Sequence, residues 1–271
     1  MRVARVARVA RVAVRLAYIG TDFHGSQFQP DVRTVEGELF KTLERMQIDA
    51  KGSRFRMAGR TDAGVHAISQ TFAIDVESIR PHFLRILNSH LPEDMVAWAI
   101  AEVPEKFDPR RDALSRTYVY ALVCQEDYDF KAMQRCVEKL QGAHDFSNFT
   151  KGFDGGKREV YRAELWKSNH LIYFEIEANA FTWNMVRCIV SALKAVGRGD
   201  KSVEWFEEML NPKIRKERIE PASPHGLILK DVKYNVDFQV DDYSFSMVKR
   251  MFRRAVEYHG SIFGALSILQ P

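Results

Sequence analysis

Cysteine is scarce in this sequence: three residues in 271, at positions 124, 136 and 188. The number is odd and the spacing wide, which excludes the close pairs of a zinc site or a disulfide framework and fits a reducing compartment. Long apolar runs are missing too; none approaches the roughly 20 residues of a membrane span. The N-terminus carries arginines where a secretory signal would have its apolar core, so the expectation is a cytoplasmic protein. Serine is absent from the same Arg-Val-Ala stretch, which argues against an organellar transit peptide. Nor is there a Pro/Gly/Ser-rich linker to cut the chain into separate bodies. With 46% hydrophobic content, a chain of this length buries a substantial core without metals or disulfides.

One sign of charge is locally missing. Residues 1 to 15 hold Arg2, Arg5, Arg8, Arg11 and Arg15 and no acid. Setting those five aside from the 40 basic residues leaves 35 against 36 acidic ones, so the net charge of +4 belongs to the arm and the body is near neutral. The case for a nucleic-acid partner must then come from local clusters. Four exist: Arg54, Arg56 and Arg60; Arg110, Arg111 and Arg116; Lys157, Arg158 and Arg162; Lys213, Arg215, Lys216 and Arg218. Each alone reads as a solvated face, and four together suggest a surface that follows phosphates. The three-residue repeat RVARVARVARVA fits neither the helical period nor strand alternation, so residues 1–12 read as a mobile arm or a ragged strand extension.

From Ala13 the pattern becomes regular. AVRLAYIG alternates as a strand, and Thr34 caps a helix with Val35, Leu39, Leu43 and Met46 on one face. SRFRM and TFAIDV alternate again, a helix from about Ser78 has Pro81 in its first turn, and VAWAIAEV is a strand. The second half repeats the rhythm. SRTYVYALV is a strand, a helix around Met133, Val137 and Leu140 is closed by Gly142, and VYRAELWKS with LIYFEIEAN form a hairpin turning at Asn169. NMVRCIVSALKAVG is a helix ending at Gly197, GLILKDVKY a last strand, and a C-terminal helix carries Phe245, Val248, Phe252 and Val256. The expected fold is α+β: two ferredoxin-like or RRM-like halves, 13–109 and 110–271, whose antiparallel sheets pack side by side around a central RNA-binding cleft.

The segment AGRTDAGVHA, residues 58–67, joins two strands through Gly59 and Gly64 and sets an arginine, a carboxylate and a histidine between them. It is too polar for core and suits a site loop, though a surface turn in which Thr61 or Asp62 caps a short helix would have the same composition. The string itself resembles the signature loop of the tRNA pseudouridine synthase A family. LAYIGTDFHGSQFQ is similar to that family's opening strand and loop, FDPRRDALSRTYVY to its central segment, ANAFTWNMVRCIVSALKAVGRG to the helix behind its active site and PASPHGLILKDVKY to its closing strand. The resemblance covers nearly the whole chain from Ala13. It implies isomerisation of uridine to pseudouridine in the anticodon stem-loop of tRNA, at positions 38, 39 and/or 40, without a cofactor. It further implies that Asp62 is the nucleophile, Arg60 its loop partner, Tyr118 the aromatic that meets the target base, and Arg187 the cation that pairs with Asp62. Arg116 and Arg110 of the central segment become substrate contacts, and the protein a homodimer. The arginine triplets before Ala13 and the long segment after Val240 depart from the family's pattern.

The chemistry explains these residue types. Breaking a C–N glycosidic bond and rejoining the same base through carbon needs no redox partner and no external group, only a carboxylate, a closed pocket and control of protons. Asp62 could attack C1′, add to C6 or promote elimination, and the residues do not distinguish these routes. Burial raises an Asp pKa and a neighbouring cation lowers it, so an ionised nucleophile in a dry pocket requires an arginine such as Arg187. Other readings stand beside this one. Arg187 shares helical spacing with Ser191, Lys194 and Arg198, as on a polar helix face, and Tyr118 shares its side of a strand with Tyr120 and Leu122, as in a core. His24 and His66 suggest a metal site, and the i, i+4 spacing of Asp62 and His66 a metal-dependent hydrolase built on that pair, but no third ligand follows at a suitable spacing. Gly152, Gly155 and Gly156 before Lys157 lack the Walker spacing and read as an RNA-contacting or plain surface loop. A catalytically silent RNA-binding protein would not need the set Arg60, Asp62, Tyr118 and Arg187.

Overall fold

A computed structural model of the chain describes residues 9–124, 127–151 and 156–266. Arg2, Arg5 and Arg8 of the repeat, and Gly152 and Gly155 of the glycine-rich loop, lie outside the described residues. The chain forms two compact units, Met1–Asp112 with Asn235–Pro271, and Ala113–Tyr234.

The first unit opens with β1 (Ala10–Tyr18), α1 (Val35–Arg45), β2 (Arg56–Met57), β3 (His66–Val76), α2 (Phe83–His90) and β4 (Met95–Val103). The second holds β5 (Ser115–Val123), α3 (Phe130–Glu138), β6 (Gly142–Asp145), β7 (Lys157–Ser168), β8 (Leu171–Ala178), α4 (Met185–Gly197), α5 (Val203–Met209) and β9 (Leu227–Lys233). The chain then returns to the first unit with β10 (Gln239–Val240) and α6 (Asp242–Leu266). Strand order is β10-β4-β1-β3 in the first unit, with β2 paired to β3, and β9-β5-β8-β7-β6 in the second; within each unit every described pairing is antiparallel. Both units therefore have the last long strand beside the first and the third beyond it, the ferredoxin-like order expected of an α+β fold.

Local chemistry accounts for most element ends. Thr34 Oγ1 accepts the Gly37 N–H at 3.1 Å and starts α1 as expected. Asn169 takes φ 55° at the β7–β8 turn, and α4 ends at Gly197. Strand β1 is buried at every position from Arg11 to Tyr18 because it is interior to its sheet and covered on both faces. On one of those faces Ala17 and Val96 meet Val248 and Met251 of α6, with Trp98, Phe245 and Phe252 alongside.

Several expectations are corrected. Strand β1 begins at Ala10, not Ala13, because Ala10 pairs with Val76 and the Arg11 guanidinium is buried against Asp75 at 2.8 Å, so the arm read as residues 1–12 ends inside the sheet. Helix α2 starts at Phe83 rather than Ser78, since His82 takes the left-handed conformation at φ 58° and cannot continue a helix. Gly142, at φ 100°, opens β6 instead of closing α3, which ends at Glu138. The C-terminal helix belongs with the first unit and not with the second half, because its apolar face packs on β1 and β4. That packing reaches only to Phe252; Val256 is 71% exposed.

Candidate active site

The segment between β2 and β3 is held by the segment that follows β1. Ser26 N–H donates to Thr61 O at 3.0 Å, Thr61 N–H returns to Ser26 Oγ at 2.8 Å, and Gly64 N–H donates to Phe23 O at 3.3 Å. Beneath them the Tyr18 and Thr61 hydroxyls are 2.8 Å apart. Burial pushes the Tyr18 phenol up to about 12, so it remains a neutral hydroxyl across the working range of any enzyme. Gly20 lies so close to Val65 that a Cβ there would stand 2.0 Å from its carbonyl oxygen, and Gly64 needs its φ of 82°. At the strand ends Gln70 Nε2 donates to Gly59 O at 3.1 Å and Gly20 N–H donates to His66 Nδ1 at 3.0 Å.

Asp62 sits in the middle of this frame, half-buried, with its carbonyl oxygen accepting the Val65 N–H at 3.2 Å. Neither Thr61 nor Asp62 caps a helix; the segment is a fixed loop. Arg60 is exposed, and its charge reaches Glu36 on α1. Burial raises the Glu36 pKa, against which a hydrogen bond from Phe28 N–H and the Arg60 charge both work. His66 Nδ1 accepts the Gly20 N–H and so ties the start of β3 to the segment after β1.

In the second unit Tyr118, on β5, is half-buried and meets Phe181 edge-on at 5.0 Å between ring centres. Arg116, two residues earlier, donates from Nη1 to Asn179 O at 2.8 Å. Arg187, on α4, donates from Nε to Ala222 O at 2.7 Å while its own carbonyl accepts the Ala222 N–H at 3.1 Å. Its charge also reaches Tyr120, whose pKa burial raises and Arg187 lowers. Arg187 is thus a half-buried clasp and not part of a solvated helix face. Arg110 is exposed in a turn stabilised by the Asp108 carboxylate, which accepts the Arg110 N–H at 2.8 Å. Arg116 and Tyr118 flank the segment that leads from β8 to α4; Arg110 belongs to the first unit.

All four basic clusters hold a structural member: Arg54 pairs with Asp75, Arg162 with Glu164 and Arg215 with Glu208, and Arg116 holds Asn179 O. The sequence reading missed the supports of the site: Tyr18, Gly20 and Ser26 under the Asp62 loop, Phe181 on Tyr118, and Ala222 on Arg187. For the first three a signal existed, since LAYIGTDFHGSQFQ is too polar after its strand for a plain connection; Ala222 carries none.

Residues 136–235 match the profile of a family described as tRNA pseudouridine synthase. A protein of Archaeoglobus fulgidus named tRNA pseudouridine synthase A is 51% identical over 262 residues, covering 95% of this chain and 97% of its own length. Proteins of the same name from Methanosarcina acetivorans and Pyrococcus furiosus are 45% and 41% identical, covering 90% and 92% of this chain and 94% of each relative.

Proposed function

The chain belongs to the tRNA pseudouridine synthase A family and is an isomerase acting on tRNA, and from that premise we propose that Asp62 is its nucleophile, working without a cofactor on a uridine of the anticodon arm. The observation that carries this reading is the frame around Asp62. A half-buried carboxylate lies in a loop whose backbone is fixed by Ser26, Phe23 and Gln70, so the nucleophile is aimed before substrate arrives. Arg187 serves as the cation that keeps the carboxylate ionised, Arg60 as its loop partner, and Tyr118 as the aromatic face for the flipped base. Flipping costs roughly a few kcal/mol, part of which an aromatic contact returns. Arg116 and Arg110 act as substrate contacts. The same reading carries a cytoplasmic location and a homodimer. Among the described residues no helix is long and apolar enough to cross a membrane.

The test is Asp62→Asn, which keeps the loop's shape but cannot supply a nucleophilic carboxylate. Tritium at C5 of uridine in tRNA is lost only when the new carbon bond forms, so the variant should release none while binding tRNA within about tenfold of wild type, because phosphate contacts elsewhere dominate affinity. Tritium release by the Asn variant near the wild-type rate would remove Asp62 from the role. Carbodiimide mapping of treated tRNA identifies which uridine is converted.

A further inference from the structure

The segment Asn179–Asn184 joins β8 to α4, and its backbone is tied down at both ends. Arg116 holds Asn179 O, while the Asn179 side-chain oxygen accepts the N–H groups of Ala180 and Glu159 at 2.7 and 3.1 Å. At the other end Trp183 O accepts from Thr150 Oγ1 at 3.0 Å and from Lys151 N–H at 3.2 Å, and Asn184 follows in the left-handed region at φ 64°. The two aromatic side chains of the segment part company. Phe181 turns in against Tyr118, whereas Trp183 leaves 60% of its surface open to solvent. An indole normally hides most of its large apolar area. Here it stands out on a backbone already immobilised, which is how a preorganised contact surface is built, since binding then has only the side chain left to order.

The substrate supplies a matching surface. When a nucleotide is flipped out of a stack, its neighbour loses a stacking partner, and single-stranded RNA bases are characteristically received on aromatic faces. Every base has a π-face, so such a contact tolerates sequence variation among tRNAs. We propose that Trp183 is a stacking platform for an unpaired tRNA base adjacent to the target uridine. The inference rests on the reading of Tyr118 as the target's aromatic contact.

The test uses the full chain and full-length tRNA with Trp183→Ala, Trp183→Leu and Trp183→Phe. The Ala and Leu variants should weaken tRNA affinity roughly 5- to 150-fold, the range for losing one base stack, and the Phe variant should keep most of it. Stacking releases no counterions, so the slope of log affinity against log salt should not change. Thermal midpoints should stay within a few degrees of wild type, because most of the indole surface lies in solvent. A 2-aminopurine beside the target should be quenched on binding wild type and remain bright with the Leu variant. Failure of the wild type to form pseudouridine would sink the reading beneath; a Trp183→Ala variant with undiminished affinity and quenching would sink only the stack. A flattened salt slope, a fall in midpoint shared by all three variants, or a loss of self-association tracking the substitution would each give the residue another job and overturn the proposal.

Discussion

Thr61 and Asp62 are neighbours with opposite employment. Thr61 is buried and commits its N–H, carbonyl and hydroxyl to Ser26 and Tyr18, so that Asp62 inherits a fixed direction. A second carboxylate, Asp75, is purely structural. Its side chain is 9% exposed and accepts from Arg11 and Arg54. Burial alone would raise its pKa, but the hydrogen bonds from Arg54 and Arg11, with their charges, hold it below the ordinary value. A carboxyl depressed in the folded state contributes stability that is present above its unfolded pKa and lost as pH falls through the folded one. We therefore expect Asp75→Asn to destabilise the protein by about 3 kcal/mol near neutral pH by leaving Arg11 buried without its counter-ion. Urea unfolding at a series of pH values should show that gap constant down to pH about 5 and narrowing below 3.8. A gap independent of pH would assign the loss to packing instead.

At the scale of elements, β1 depends on its first residues. Ala10, Arg11 and Val12 pair with Val76, Asp75 and Ile74, and Arg11 also donates from Nε to Phe107 O at 2.7 Å. A chain beginning at Val9 should keep the full thermal midpoint, whereas one beginning at Ala13 loses the ion pair and three rungs and should melt several degrees lower. Equal midpoints would show that the paired end of β1 contributes nothing. Its first three residues are where the sequence was hardest to read: they fall inside the Arg-Val-Ala triplets, and Arg11 looks like a solvated charge until Asp75 is seen across the sheet. Elements with a one-sided face, such as α1 with its Thr34 cap and the β7–β8 hairpin, were legible. The strands β2, β6 and β10 and the seven-residue α5 are too short to show a period. For the site, the string around Asp62 was readable, but the contacts that aim it join residues 35 and 43 positions apart and leave no local trace.

For the molecule as a whole, charge is distributed so that the body is near neutral and the first residues are basic. Arg11 is withdrawn into the sheet, leaving Arg2, Arg5 and Arg8 as the cations of the arm that can meet phosphate. Removing residues 1–8 should flatten the dependence of log tRNA affinity on log salt by at most roughly 2 to 3, if all three contact phosphate, and leave the chemical step unchanged. Filter binding across a salt series reads this directly, and an unchanged slope would make the arm a bystander.

The first unit is interrupted: its sheet is begun by residues up to Asp112 and its outer helix is supplied only after Asn235. On a ribosome this sets an order of events. At roughly 5 to 20 residues per second, about 7 to 28 s separate the emergence of β4 from that of α6. The continuous second unit can close on itself during that interval. Ala17, Val96 and Trp98 cannot be covered until Val248 and Met251 arrive, so we expect this apolar sheet face to be the last part of the nascent protein to close. A chaperone that shields such faces would find its longest window here, in the part of the chain that is translated first.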